Sequence, residues 1–359
     1  MDLRRFANLK SLEGPILVTG HTGFKGTWLT MLLEEIGVEV YGLSLPPVED
    51  SMYLRLNRTG RIPEVFMDIN DRTKIVDYIS ELKPSVICHM AAQPLVSHSY
   101  IKPVETFMTN VMGTAHLLEA AFQAETVKVF AVVTTDKVYE NLETGQRFQE
   151  LSPLGGKDPY SASKVGTEQV INAWRQIRKL NSGPSILSLR AGNVIGGGDY
   201  AANRLLPDLV RGLLYGARVR IRNPKSSRPW QHVLDPLLGY LLAIEKALID
   251  NQDETYNFGP TETSLRVEEV IEIARDFLPK DIIEIVHNSS QEFIIESLKL
   301  DLDSSKSLEL LQWAPKWTQQ EAIIRTLEWW SSNNCTDQEA KSRIEIMQVI
   351  QDIGAGHNE

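Results

Sequence analysis

Pro15-Ile16-Leu17-Val18-Thr19-Gly20-His21-Thr22-Gly23-Phe24-Lys25-Gly26 decides how this chain folds. The apolar run Pro15 to Thr19 reads as a short buried strand, and glycines in Gly-x-x-Gly-x-x-Gly spacing follow at once. Trp28-Leu29-Thr30-Met31-Leu32-Leu33 then continues as a helix ending near Gly37. In that context the glycines permit a tight turn, close approach of backbone to a pyrophosphate, and close packing of the helix. The helix N-terminus offers N–H donors and a favourable dipole to phosphate. The spacing departs from the Gly-x-Gly-x-x-Gly of the commonest dinucleotide loops, so strand–loop–helix context carries the reading. An acidic residue ending the second strand would hold the adenosine ribose. Here the strand Val38 to Leu43 runs into Ser44-Leu45-Pro46-Pro47, and Glu49 and Asp50 come only later. Lys25 fits either an extra phosphate or a solvated loop position, so this stretch leaves a ribose 2′-phosphate open.

Outward from the loop, Val86 to His89, Val127 to Val133 and Ser185 to Arg190 read as further strands. Helical stretches lie between them over Asp71 to Lys83, Val104 to Gln123 and Asp158 to Arg178. The alternation predicts an α/β fold, a Rossmann-type doubly wound parallel sheet covered on both faces. After Gly192 the pattern breaks into the loop Gly196 to Asp199, a short helix Leu205 to Leu214 and the turn-rich Pro224 to Pro229. A smaller C-terminal α/β substrate-binding lobe is expected there. Residues 1–190 are expected to form the dinucleotide domain, with 232–260 returning to it; 191–231 and 261–330 form the lobe. Residues 331–359 form a tail, with a helical run Ala340 to Gln351 before Gly354-Ala355-Gly356.

Composition narrows the function. The net charge of -10 argues against a nucleic-acid surface, although Arg218-Val219-Arg220-Ile221-Arg222 is locally basic. Cys88 and Cys335 lie far apart and give no metal-ligand spacing, which suits a reducing compartment. No apolar run is long enough to span a bilayer. A cytoplasmic protein without metal, nucleic-acid or membrane partners is expected.

Tyr160 and Lys164 stand one helical turn apart, so both project from one face. An ammonium beside a phenol favours the phenolate, which would make the Tyr a base. Alone, that spacing also fits a surface pair on an amphipathic helix. Thr134-Thr135-Asp136-Lys137 closes the apolar run Val129 to Val133 and supplies an acid and an amine besides. Serving as acid and base would require both pKa values to move toward neutrality, as burial does; a direct Asp-Lys salt bridge would oppose it. His98, His116 and His287 have no motif partners, and Trp230 reads as core.

Gly20 to Gly26, His89 to Val96, Thr109 to Thr114, Thr135-Asp136-Lys137, Arg190 to Asp199 and Arg228 to Pro236 together resemble the extended short-chain dehydrogenase/reductase superfamily. Within it they are similar to the CDP-glucose 4,6-dehydratase family, and Leu298 to Asp301 with Trp313 to Trp317 extend the likeness. Asp-Lys discriminates, because related dTDP-glucose and GDP-mannose dehydratases carry Asp-Glu or Glu-like pairs and 4-epimerases need none. Leu142 to Gln149 departs from the family's usual Trp- and Gly-rich segment, and Gly198-Asp199-Tyr200 from its Gly-Asp-Trp. A dehydratase or 4-epimerase for another nucleotide sugar stays as the alternative.

The resemblance implies NAD as cofactor, contacted by Gly20, His21, Thr22, Gly23, Phe24, Lys25, Gly26, Asp68, Ile69, Ala91, Ala92, Gln93, Asn110, Thr134, Tyr160 and Lys164. It implies Thr135, Asp136, Lys137, Tyr160 and Lys164 as catalytic, and Asn193, Arg204 and Arg228 as ligands of a nucleotide-sugar substrate. The expected chemistry oxidises C4, which makes the C5 hydrogen acidic, then expels water from C5 and C6 and reduces C6. It implies a role in making deoxyhexoses for cell-surface polysaccharide, and homodimers joined through the helices near Val104 to Gln123 and Asp158 to Arg178. Ala120, Ala121, Ala162, Gly166 and Ala173 would allow close packing there.

Overall fold

The strands Ile16–Thr19, Val86–His89 and Val129–Val133 are buried at every position, as the middle of a sheet covered on both faces requires. In the computed structural model, which describes residues 3–201, 204–221, 223–278, 282–285, 299–332 and 335–352, that sheet has parallel strands. They are β1 (Ile16–Thr19), β2 (Val40–Ser44), β3 (Glu64–Phe66), β4 (Val86–His89), β5 (Val129–Val133), β6 (Ser185–Ala191) and β7 (Glu254–Phe258). Their order is β7-β6-β5-β4-β1-β2-β3, which puts the reversal of winding beside β1 and β4. Ligands of such sheets bind at the carboxyl ends of strands flanking that switch point.

The faces are filled by two separate sets of side chains. On one, Ile75, Ile79, Leu117, Leu118, Ala120 and Ala121 pack on Ile87, Phe130, Val132 and Ile186. The helical residues come from α2 (Arg72–Leu82) and α3 (Gly113–Gln123), joined by Ile171 of α4 (Pro159–Leu180). On the other, Trp28, Leu29, Leu32, Leu237, Leu241, Ile346 and Ile350 pack on Val18, Val86, Ala131 and Leu189. These come from α1 (Phe24–Ile36), α6 (Leu234–Asp250) and α8 (Cys335–Asp352). Removing a side chain such as Leu117 to Ala would cost about 2–5 kcal/mol at these buried positions.

Local signals set the ends. Asp71 caps α2 by accepting from Lys74 N, and Asp158 caps α4 by accepting from Ser161 N at 3.0 Å. The helix expected over Val104 to Gln123 holds a wide π turn at Met108–Met112, where Thr114 and Thr167 hydroxyls donate to Asn110 O. Ala120 and Ala121 are buried under the sheet, so they are not the small residues that open a partner face. The smaller lobe carries α5 (Leu205–Tyr215), α7 (Gln319–Trp330) and paired short strands, among them Trp230–His232 with Asn193–Ile195. Arg222, His287, Leu298 and Gly354 to Gly356 lie outside the described residues. No helix among the described residues is long and apolar enough to cross a membrane.

Candidate active site

The carboxyl ends of β1, β2, β4, β5 and β6 open into a cleft of about 1570 Å³ against the smaller lobe. Its floor begins with the glycine loop. Gly20 takes φ +76°, and a Cβ on Gly26 would stand 2.2 Å from Gly20 O. Any side chain at Gly26 would therefore fill the cradle where backbone and helix N-terminus meet a ligand.

The structure brings Gly20, Thr22, Gly23, Phe24, Lys25, Gly26, Asp68, Ile69, Ala91, Ala92 and Thr134 to the cleft wall. It does not bring His21 there. The His21 ring is fully buried behind the loop, bonded through Nε2 to Glu64 at 2.8 Å. Gly42 exists to admit it, since a Cβ there would lie 2.5 Å from the ring. Gln93 and Asn110 also stay off the cleft wall. Asn110 accepts from Gln93 N at 2.8 Å and donates to Ser163 Oγ at 2.9 Å, tying the loop after β4 to α4.

Thr135, Asp136, Lys137, Tyr160 and Lys164 all line the same cleft. Asp136 is 2% exposed; its Oδ1 accepts from the Thr135 hydroxyl at 3.0 Å, while Oδ2 has no hydrogen-bond partner. Burial raises its pKa, against opposing effects of Lys137, the Thr135 hydroxyl and Arg228. Among the described residues Asp136 and Lys137 form no ion pair with each other, which is the condition an acid and a base need. A rise is the direction that lets a carboxyl hold a proton to donate.

The Tyr-Lys pair departs from expectation. Burial pushes the Tyr160 phenol up to about 12, against the Thr135 hydroxyl and the Arg204 charge. Lys164, itself lowered to about 8 by burial, turns its ammonium to Val133 O at 3.2 Å. Desolvation therefore dominates the phenol in this arrangement, and the charge that opposes it is that of Arg204.

Asn193, Arg204 and Arg228 line the lobe side of the cleft. Arg204 is held by Asp199 at 3.2 Å. Trp230 is buried, with its indole N–H on Leu265 O. Lys25 points toward this end: burial lowers it to about 8, and the charges nearest it are Arg204, Lys164, Asp136 and Asp199. It is thus no candidate for a phosphate on the adenosine ribose. No cluster of possible metal ligands occurs among the described residues.

Sequence reading missed the brace behind these groups. Glu168, one turn beyond Lys164 on α4, accepts from Thr134 Oγ1 and Ser188 Oγ at 2.7 Å and from Arg190 Nε at 2.9 Å. The spacing Tyr160, Lys164, Glu168 on one helix face was the available signal.

Residues 17–326 match the protein family described as GDP-mannose 4,6 dehydratase. The chain is 40% identical over 323 residues to the CDP-glucose 4,6-dehydratase of Salmonella typhimurium, spanning 88% of this chain and 89% of that protein. A dTDP-glucose 4,6-dehydratase from Streptomyces venezuelae, solved with NAD bound, superposes with TM-score 0.77 at 25% identity, over 89% of this chain and 97% of that one. A UDP-glucose 4-epimerase from Thermus thermophilus in complex with NAD gives TM-score 0.74 at 25% identity, over 89% of this chain and 99% of that one.

Proposed function

The chain belongs to the GDP-mannose 4,6-dehydratase family of nucleotide-sugar dehydratases, and from that premise we propose that it converts CDP-D-glucose to CDP-4-keto-6-deoxy-D-glucose. The observation that carries the reading is a buried, raised-pKa Asp136 beside Lys137, in one cleft with Thr135, Tyr160 and Lys164. An epimerase needs no second acid–base pair there. The likeness to the Salmonella typhimurium protein supports cytidine over other bases.

The glycine loop Gly20 to Gly26 and the cleft wall around Ala91 and Thr134 would hold NAD, which would supply the hydride acceptor and donor that C4 and C6 need. Tyr160 acts as its phenolate, the form that burial opposes, and takes the proton of the 4-hydroxyl, while the Thr135 hydroxyl donates a hydrogen bond to the same oxygen. With C4 a ketone, Lys137 removes the C5 proton while Asp136 protonates the departing 6-hydroxyl, which leaves as water. Lys137 then returns its proton to C5. The phenolate has gained one proton and the carboxylic acid has lost one, so exchange with solvent resets both. Arg204 and Arg228 hold the diphosphate, for which guanidinium geometry suits, with Asn193 beside them.

The proposed division of labour gives residues 1–190 and 232–260 to the dinucleotide, and 191–231 and 261–330 to the sugar nucleotide. We also assign a homodimer, through the exposed apolar side chains of Ile101, Val104, Phe107, Met108 and Met112 beside Ile177 and Leu180 of α4. The setting proposed is cytoplasmic synthesis of deoxyhexoses for surface polysaccharide. Incubation with NAD and a panel of CDP-, dTDP-, GDP- and UDP-hexoses, read by mass loss of water, tests the reading. A 4-keto product from CDP-glucose is expected; turnover of another sugar nucleotide in its place, or epimerisation without water loss, overturns it.

A further inference from the structure

The ribose end of the cleft lacks the carboxylate that ordinarily ends the second strand and binds a dinucleotide's adenosine diol. The nearby acid is already engaged. Glu64 on β3 accepts from the Tyr53 hydroxyl, from His21 at 2.8 Å and from Gly60 N at 2.8 Å, and its side chain is not part of the cleft wall. What ends β2 on the cleft wall is Ser44. Its hydroxyl lies 2.6 Å from that of Thr22 in the glycine loop, and Thr22 also donates to Leu45 O at 3.2 Å. Both hydroxyls belong to side chains only 7% exposed.

We propose that the Thr22–Ser44 hydroxyl pair is the ribose subsite, and that NAD is chosen over NADP by charge rather than by a carboxylate bonded to the diol. Either hydroxyl can donate across the 2.6 Å contact, and with the Thr22 proton given to Leu45 O the Ser44 proton goes to Thr22. The lone pair left on Ser44 then faces the cleft as a neutral acceptor for a ribose hydroxyl. Beyond it the same wall carries Glu49 and Asp50. The lining cations Lys25, Lys137, Lys164, Arg204, Arg220 and Arg228 all come from the glycine-loop helix, the β5 end, α4 and the smaller lobe. A 2′-phosphate would thus meet two carboxylates and no cation among the described lining residues of that segment. This inference rests on the dinucleotide-binding part of the reading above and not on which sugar nucleotide is turned over.

The test is calorimetric titration of the purified full-length protein with NAD and with NADP, without sugar nucleotide, so that a wrong substrate assignment leaves it untouched. Replacing a neutral acceptor by a charged one typically strengthens a hydrogen bond by about 1 kcal/mol, so Ser44→Asp should tighten NAD roughly five- to tenfold. Ser44→Ala should weaken NAD several-fold. The Glu49→Lys, Asp50→Lys double variant should tighten NADP about tenfold or more at low salt, an effect lost at high salt, and leave NAD nearly unchanged. Circular dichroism establishes that each variant folds. NAD affinity indifferent to both Ser44 variants, or NADP affinity indifferent to the charge reversal, overturns the proposal.

Discussion

Replacing Glu168 by Gln tests the brace behind the cleft. Glu168 is 1% and Arg190 4% exposed, and the pair meets at 2.9 Å through both Arg190 Nε to Oε1 and Nη2 to Oε2. Gln keeps an acceptor for the Thr134 and Ser188 hydroxyls but turns an amide toward a buried guanidinium. Breaking such a pair from one side costs about 3–5 kcal/mol, because the remaining charge is desolvated and uncompensated. Glu168→Leu with Arg190→Met removes both charges and should cost less than the single change. The assay is urea unfolding followed by tryptophan fluorescence, with the midpoint shift read at constant slope. A loss under about 1 kcal/mol for Glu168→Gln, or a double variant less stable than the single one, would refute the reasoning. The pH dependence is a second check. Burial works to raise the Glu168 carboxyl, but the Arg190 bonds and charge hold it below its ordinary value. Its contribution is therefore present above the unfolded carboxyl pKa and lost as pH falls through the lower folded value.

Other outcomes follow from the same geometry. If protonated Lys164 is required, activity falls as pH rises through about 8; Lys164→Arg should move that limb upward in a pH–rate profile, whereas Lys25→Met should leave it in place. Asp136→Asn with Lys137→Met should abolish water loss yet keep exchange of label at C4, measured by mass spectrometry; retained dehydration would remove the pair from the mechanism. Asp235 is raised to about 7 by burial, against the charge of His232 and bonds from Lys316 N and Trp317 N. A raised folded pKa means stability is full below the unfolded pKa near 3.8 and is lost as pH rises to about 7. That loss is about 4 kcal/mol at 1.36 kcal/mol per pKa unit, so Asp235→Asn should flatten the stability–pH curve over this interval in denaturant titrations.

The run Pro15 to Gly26 was sufficient to announce the fold, because strand, turn and helix signals there are local and agree with one another. Continuous apolar runs likewise declared a sheet buried on both faces. That the residues proposed as catalytic share one cleft was legible for the same reason: Tyr160 and Lys164 share a helix face by spacing alone, and Asp136-Lys137 follows a strand whose end faces the cleft. Direction and environment were not. His21 sits inside a cofactor motif yet turns inward because Gly42 leaves room for its ring and Glu64 binds it. Ala120 and Ala121 face the sheet, a matter of helix rotation that small residues do not disclose. Spacing put an ammonium near a phenol, but only packing shows that Lys164 bonds to Val133 O and that burial dominates the phenol. Periodicity and motif are written along the chain, whereas desolvation and pairing depend on which distant segments close over a group, and those contacts exist only once the chain has folded.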